Sequence, residues 1–178
     1  MKCITSGWII AALILGVTWR SKAQEELPQQ LIDARNVLVR SISERRPKWH
    51  HKIIPPMVGS KGVIIDQWEL DGWAIRVAVI QHDSPETAEK TLQDFRSRLE
   101  DEERAARNRG QRDFKLIKEE LPVLGDGGFT RDEFGVIATA FRKSNLTIYV
   151  NVSAPGWYKD QTLSKEVAQI IAGALPSK

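Results

Sequence analysis

The chain has 178 residues, a single cysteine, and 26 basic against 23 acidic residues, for a formal net charge of +3. This length suits one domain with an ordinary apolar core. One cysteine excludes an internal disulfide, and so small a charge excess does not favour binding to a phosphate backbone.

The N-terminal segment has the pattern of a secretory signal peptide. Lys2 forms a short positive start, an apolar run extends from Gly7 to Val17, and Ser21-Lys22-Ala23 matches a cleavage site. The apolar run is shorter than the ~20 residues that span a bilayer, which favours cleavage over a retained anchor. We therefore predict a signal peptide over residues 1–23, a single domain over residues 24–178, a secreted or periplasmic location, and no stable membrane span after cleavage.

Cleavage would also change the chemistry of the chain. It removes Cys3 together with three basic residues, Lys2, Arg20 and Lys22, and leaves 23 basic side chains against 23 acidic ones. Without a cysteine, thiol catalysis and cysteine-based metal sites are excluded. A neutral chain lacks the charge excess that drives contact with phosphates, so we predict no nucleic-acid partner.

The first predicted element is a helix from Gln24 to about Arg45, followed by an irregular connection from Arg46 to Gly62. Apolar residues recur in this helix at the spacing of one face, namely Leu27, Leu31, Ala34, Leu38 and Ile42. Its other side is expected to be solvated and carries Gln30, Asp33, Arg35 and Arg40. Long connections are uncommon unless they are functional or disordered. We therefore take Trp49, His50 and His51 as the candidate ligand-binding residues.

The residues from Val63 to Gln81 are typical of a β-hairpin. Asp71-Gly72 is a strong two-residue turn signal, and it places Leu70 opposite Trp73. The same register puts Asp66 on the apolar face. We expect its carboxylate to have satisfied hydrogen bonds rather than a catalytic role.

A second helix is predicted to begin at Asp83 or Ser84, either of which can serve as its N-cap. Its buried stripe is Ala88, Leu92, Phe95 and Leu99. A charged run from Glu100 follows and is predicted to form a solvated helix end that stops at Gly110.

The remaining elements are a strand, a hairpin and a helix. Pro122 argues against a long central strand at 114–121, and the Gly-Asp-Gly-Gly segment at 125–128 predicts a tight turn. The next two β-patterned runs can pair through two or three loop residues. We favour the two-residue turn Ser144-Asn145, because it keeps Arg142 off the apolar face. The final helix can be capped by Asp160 or by Thr162.

These elements predict an α+β domain. An antiparallel β-sheet of about five to six strands would be flanked by three amphipathic helices, in the order α-ββ-α-β-ββ-α.

No catalytic motif follows from the spacing of the residues. The glycine-rich segments lack the phosphate-loop patterns, and no residue is proposed as catalytic. The histidines His50, His51 and His82 are the one set with metal-binding potential. Adjacent histidines in extended backbone point in different directions, so the alternative hypothesis is a metal site formed by one of His50 and His51 together with His82, aided by Asp83 or Asp66.

Two segments carry a resemblance to a known family. Leu124 to Phe129 and Ala140 to Val150, followed by an amphipathic helix, resemble the C-terminal half of small exported bacterial domains of the Mog1/PsbP-like type. The resemblance covers about residues 121–175 and departs from the pattern at Gly127-Gly128, in place of a Glu-Ala pair, and at Ser144, in place of a turn glycine. It implies an antiparallel sheet between helices in mostly non-enzymatic accessory proteins, and it carries over no functional residue.

We therefore expect an exported, non-enzymatic binding or accessory module of the cell envelope or periplasm that needs no cofactor. Its partner would be a protein or a small ligand of the envelope. Metal binding and a structural role in an envelope assembly are the alternatives.

Overall fold

The structure is a computed structural model that describes residues 27–56, 62–111, 114–133, 136–155 and 161–176. Over these ranges the chain forms three helices and seven strands, which confirms the α+β class. The elements are α1 (Gln29–Arg45), β1 (His50–Ile54), β2 (Val63–Leu70), β3 (Trp73–Gln81), α2 (Pro85–Asn108), β4 (Ile117–Leu121), β5 (Gly128–Glu133), β6 (Val136–Lys143), β7 (Leu146–Ser153) and α3 (Gln161–Ala174).

The strands form one antiparallel sheet in the order β1-β2-β3-β7-β6-β5-β4. Both predicted hairpin registers are confirmed. Leu70 pairs with Trp73 across a turn in which Asp71 and Gly72 have φ of 49° and 83°, the left-handed values that an Asp-Gly turn adopts. The second hairpin closes through two residues, with Ser144 at a φ of 54°.

The helices cover the two faces of the sheet. Helices α1 and α3 pack together on one face, and α2 packs on the other, against β4, β6 and β7. Four of the five residues of the predicted α1 stripe, Leu31, Ala34, Leu38 and Ile42, are buried, whereas Leu27 precedes the helix and is half-buried. On this face the core is completed by strand residues that alternate inward, including Trp68, Ile75, Phe141, Ile148 and Val150.

The sheet has seven strands, more than the five to six expected, and two of them, β1 and β5, are missing from the predicted order α-ββ-α-β-ββ-α. The prediction that no regular element lies between Arg46 and Gly62 was wrong, because β1 occupies His50–Ile54 and pairs with β2. This short edge strand does not alternate between apolar and polar residues, and the pairing with β2 defines it. The second additional strand is β5, which lies between β4 and β6.

The helix ends agree in part with the sequence. Ser84 is the N-cap of α2, where its hydroxyl accepts a hydrogen bond from the Thr87 N–H at 3.2 Å, and Gly110 follows the helix end with a φ of 88°. For α3, Thr162 lies inside the helix and is therefore not its cap, whereas Asp160 lies outside the described residues.

The charged end of α2 is not wholly solvated as predicted. Glu103 is only 7% exposed, because its Oε1 accepts hydrogen bonds from the N–H groups of Leu116 and Ile117 at 2.7 and 2.8 Å. Similarly, Arg35 of the predicted solvated face of α1 pairs with buried Asp66 at 3.0 Å.

Among the helices that the structure describes, none has both the length and the apolar character needed to cross a membrane.

Candidate functional site

A cleft of ≈ 510 Å³ lies where the end of α1, the turn of the first hairpin and the start of α3 meet. Its size falls within the range of small-molecule sites. We call it the tryptophan cleft, and it is lined by Arg46, Trp49, Leu70, Asp71, Trp73, Thr162, Leu163 and Glu166.

Trp49 reaches this cleft because α1 ends just before it. The Arg46 N–H still donates to the Ile42 carbonyl at 2.8 Å, but Pro47 follows directly and the chain leaves the helix. The Trp49 N–H then donates to the Arg46 carbonyl at 3.0 Å, and the half-buried indole packs against the main core. The position of Trp49 therefore depends on this tight helix exit.

Trp73 reaches the cleft through the register of the first hairpin. It is the first residue of β3, directly opposite Leu70, and it lies on the same face of the sheet as buried Trp68. The first hairpin thus contributes the acidic side chain of Asp71 and the aromatic side chain of Trp73, two positions apart, to the lining of the cleft. Trp73 is half-buried and packs against the same core as Trp49.

Three charged side chains line the cleft in the described residues, one basic and two acidic. Arg46 forms an ion pair with Glu166, with Nη2 at 2.7 Å from Oε2. Both partners keep contact with water, so the pair adds little stability and mainly orients the two side chains. Asp71 is exposed in the turn.

His50 and His51 were predicted to share a site with Trp49, but the strand directs them away from the cleft. Successive residues of β1 face opposite sides of the sheet, so the two imidazoles diverge. His51 stacks on Trp68 with ring centroids 4.8 Å apart, and its Nε2 donates to Oδ1 of Asp66 at 2.9 Å. His50 is exposed, and neither histidine lines the tryptophan cleft.

His82 lies at the other end of the sheet. Across the sheet, His51 pairs with Trp68 and Trp68 pairs with Ile75. His82 follows Ile75 by seven residues of extended chain, which corresponds to a distance of about 23 Å along the strand. Its Nε2 lies 2.9 Å from the Thr147 hydroxyl, and burial lowers its pKa, an effect that the negative charge of Asp83 partly opposes. The structure therefore does not bring His50, His51 and His82 together. In the described ranges, no group of three or more His, Cys, Asp or Glu residues could hold a metal ion.

The Gly-Asp-Gly-Gly segment forms a turn that packs on the second hairpin. The Asp126 carboxylate accepts from the Ser144 N–H at 2.6 Å, and the Arg142 N–H donates to the Gly127 carbonyl at 3.0 Å. A Cβ at Gly125 would lie 2.3 Å from the Arg142 carbonyl oxygen, so glycine is required for this close approach. These contacts give the segment a structural role.

A second cleft, of ≈ 370 Å³, lies between α1, the second hairpin turn and the end of α3. Its walls include Ala34, Val37, Leu146 and Leu175. No sequence pattern indicates this cleft, because its residues come from three distant segments and match no motif.

The sequence patterns also did not indicate most of the residues that line the tryptophan cleft. The hairpin register placed Trp73 beside Leu70 on the apolar face, but nothing local indicated that Arg46 and Glu166, 120 positions apart, would meet there. Searches of protein-family models, of curated proteins and of solved structures found no match to this chain.

Proposed function

We propose that the protein is an exported, non-enzymatic binding module that holds its ligand or partner in the tryptophan cleft. The observation that carries this proposal is that Trp49 and Trp73, from separate segments of the chain, line one cleft of ≈ 510 Å³ together with Leu70 and Leu163. Tryptophan is the residue type most enriched among the dominant contacts of binding interfaces, because it supplies a large apolar area with few rotatable bonds.

Export is supported by the signal-peptide pattern of the first 23 residues, and the partner would then be a protein or a small ligand of the envelope. The absence of a catalytic motif in the sequence supports a binding role over an enzymatic one. A metal site shared by the histidines is disfavoured, because about 23 Å of strand separates His82 from His51.

The test compares capture from the envelope fraction by residues 24–178 and by the variants Trp49→Leu and Trp73→Leu. Val123→Ser is the matched control, because Val123 is 93% exposed and does not line the cleft. Thermal unfolding of each variant shows that it is folded.

We expect the control to retain the captured species and each cleft variant to lose at least about 80–90% of it, since a central tryptophan typically contributes more than 1 kcal/mol. If the folded cleft variants and the control capture equal amounts, the tryptophan cleft is not the binding site.

A further inference from the structure

The aromatic walls of the tryptophan cleft coincide with an excess of acid. Trp49 and Trp73 line the cleft together with the carboxylates of Asp71 and Glu166. The face of an indole ring is the best aromatic surface for a cation, because the ring quadrupole places negative potential there. Carboxylates beside the rings add attraction of the same sign.

Arg46 does not cancel this attraction. Its guanidinium is the single basic group among the described lining residues, and it is paired with Glu166 at 2.7 Å. Among the described lining residues, that leaves the negative charge of Asp71 as the excess. Helix α1 ends and helix α3 begins beside the cleft, and the opposite partial charges of a helix C-terminus and a helix N-terminus offset each other there.

We propose that the group bound in the tryptophan cleft is cationic, either a lysine or arginine side chain of a partner protein or a small quaternary ammonium compound. This inference rests on the proposed function, because it names the chemistry of the ligand for the same cleft. The shared requirement is a positive charge carried on an apolar body. Such a group would contact the cleft lining to which Trp49, Trp73 and Asp71 contribute.

The direct test follows the indole N–H signals of residues 24–178 by nuclear magnetic resonance. The small cation is tetramethylammonium chloride, with sodium chloride at equal ionic strength and uncharged 2-methyl-2-propanol as controls. The protein-derived cations are the capped tripeptides Gly-Lys-Gly and Gly-Arg-Gly, with Gly-Gln-Gly as the neutral control. Trp68 is the internal control, because it is fully buried and its Nε1 lies 3.3 Å from the Ser43 hydroxyl.

We expect the cations to shift the signals of Trp49 and Trp73 and to leave that of Trp68 in place. A response to the tripeptides but not to tetramethylammonium identifies a protein side chain as the source, and the reverse identifies a small ligand. No shift with any cation up to about 50 mM overturns the inference, because a cation in contact with the indole faces beside a carboxylate should perturb the indole N–H signals at that concentration.

Charge variants separate this inference from the proposed function. Asp71→Asn keeps the hairpin, since Asn-Gly favours the same turn, and we expect it to weaken cation binding roughly two- to fivefold. Asp33→Asn is the matched control, because Asp33 is an exposed residue of α1 outside the cleft. Equal affinity in Asp71→Asn and in the control overturns the charge argument. If a neutral oligosaccharide shifts Trp49 and Trp73 and cations do not, the binding function stands and the cationic ligand is wrong.

Discussion

Asp66 and Arg35 form an ion pair that joins the middle of β2 to helix α1, with Oδ2 of the carboxylate 3.0 Å from Nε of the guanidinium. The Asp66 side chain is 1% exposed, and its other oxygen accepts from His51 on the edge strand β1. One buried carboxylate therefore connects a helix, a strand and the sheet edge. This arrangement agrees with the expectation that Asp66 is a carboxylate with satisfied hydrogen bonds.

We expect Asp66→Leu to lower the free energy of unfolding by about 3 kcal/mol, because it leaves the partly buried Arg35 without its partner. Denaturant unfolding at neutral pH measures this change. Asp33→Asn, an exposed acid on the same helix, should change the free energy of unfolding by less than about 0.5 kcal/mol.

The double variant Arg35→Met with Asp66→Leu tests the same pair. It should be less destabilised than the sum of the two single variants, since no charge is left without its partner. Strict additivity would mean that the two residues are not coupled.

Glu103 is expected to hold the start of β4 against α2. Glu103→Ala removes the acceptor of the Leu116 and Ile117 N–H groups and should cost about 2 kcal/mol, whereas Glu103→Gln, which keeps an oxygen there, should cost about 1 kcal/mol. The same variants should speed hydrogen exchange at these two amides. Glu102→Ala, at an exposed neighbouring position, is the control. If it speeds hydrogen exchange at the same two amides as much as Glu103→Ala does, the effect comes from a loss of helix stability and not from the lost hydrogen bonds.

Two glycines should respond in opposite directions to alanine. Gly125 has a φ of 60° and stands against the Arg142 carbonyl oxygen, so Gly125→Ala should cost at least about 3 kcal/mol. Gly173 lies in α3 with no atom within 4 Å of an added Cβ, so Gly173→Ala should stabilise the protein by roughly 0.5–1 kcal/mol. Thermal unfolding of both variants checks the contrast, and a tolerated Gly125→Ala would show that the turn can move away from β6.

His82 should make stability fall on acidification. Burial lowers its pKa below the usual value of about 6.5, so the unfolded chain takes up a proton at higher pH than the folded protein does. The free energy of unfolding is then highest above about pH 6.5 and declines as the pH falls toward the pKa of the folded state. Unfolding of the wild type and of His82→Gln across this range should show a weaker decline in the variant.

A direct titration of the His82 imidazole separates its two influences. Asp83 raises the pKa that burial lowers, so Asp83→Asn should move the midpoint further down. An upward movement would contradict the assignment.

The sequence by itself determined the elements whose signals are local. Asp71-Gly72 and Ser144-Asn145 set both hairpin registers, because a two-residue turn and the two-residue period of a strand leave one way to bury the apolar face. The stripe from Leu31 to Ile42 likewise identified the buried side of α1. These elements together predicted the α+β class and the antiparallel sheet.

Only the tertiary structure decided what depends on partners far away in the chain. Strand β1 is defined by its pairing with β2, and Glu103 is buried because the backbone of β4 supplies its hydrogen-bond donors. Trp49 and Trp73 share a cleft because the end of α1, the first hairpin turn and the start of α3 meet there. Such contacts arise from the packing of helices on the sheet. The hydrophobic periodicity within a single segment does not predict them.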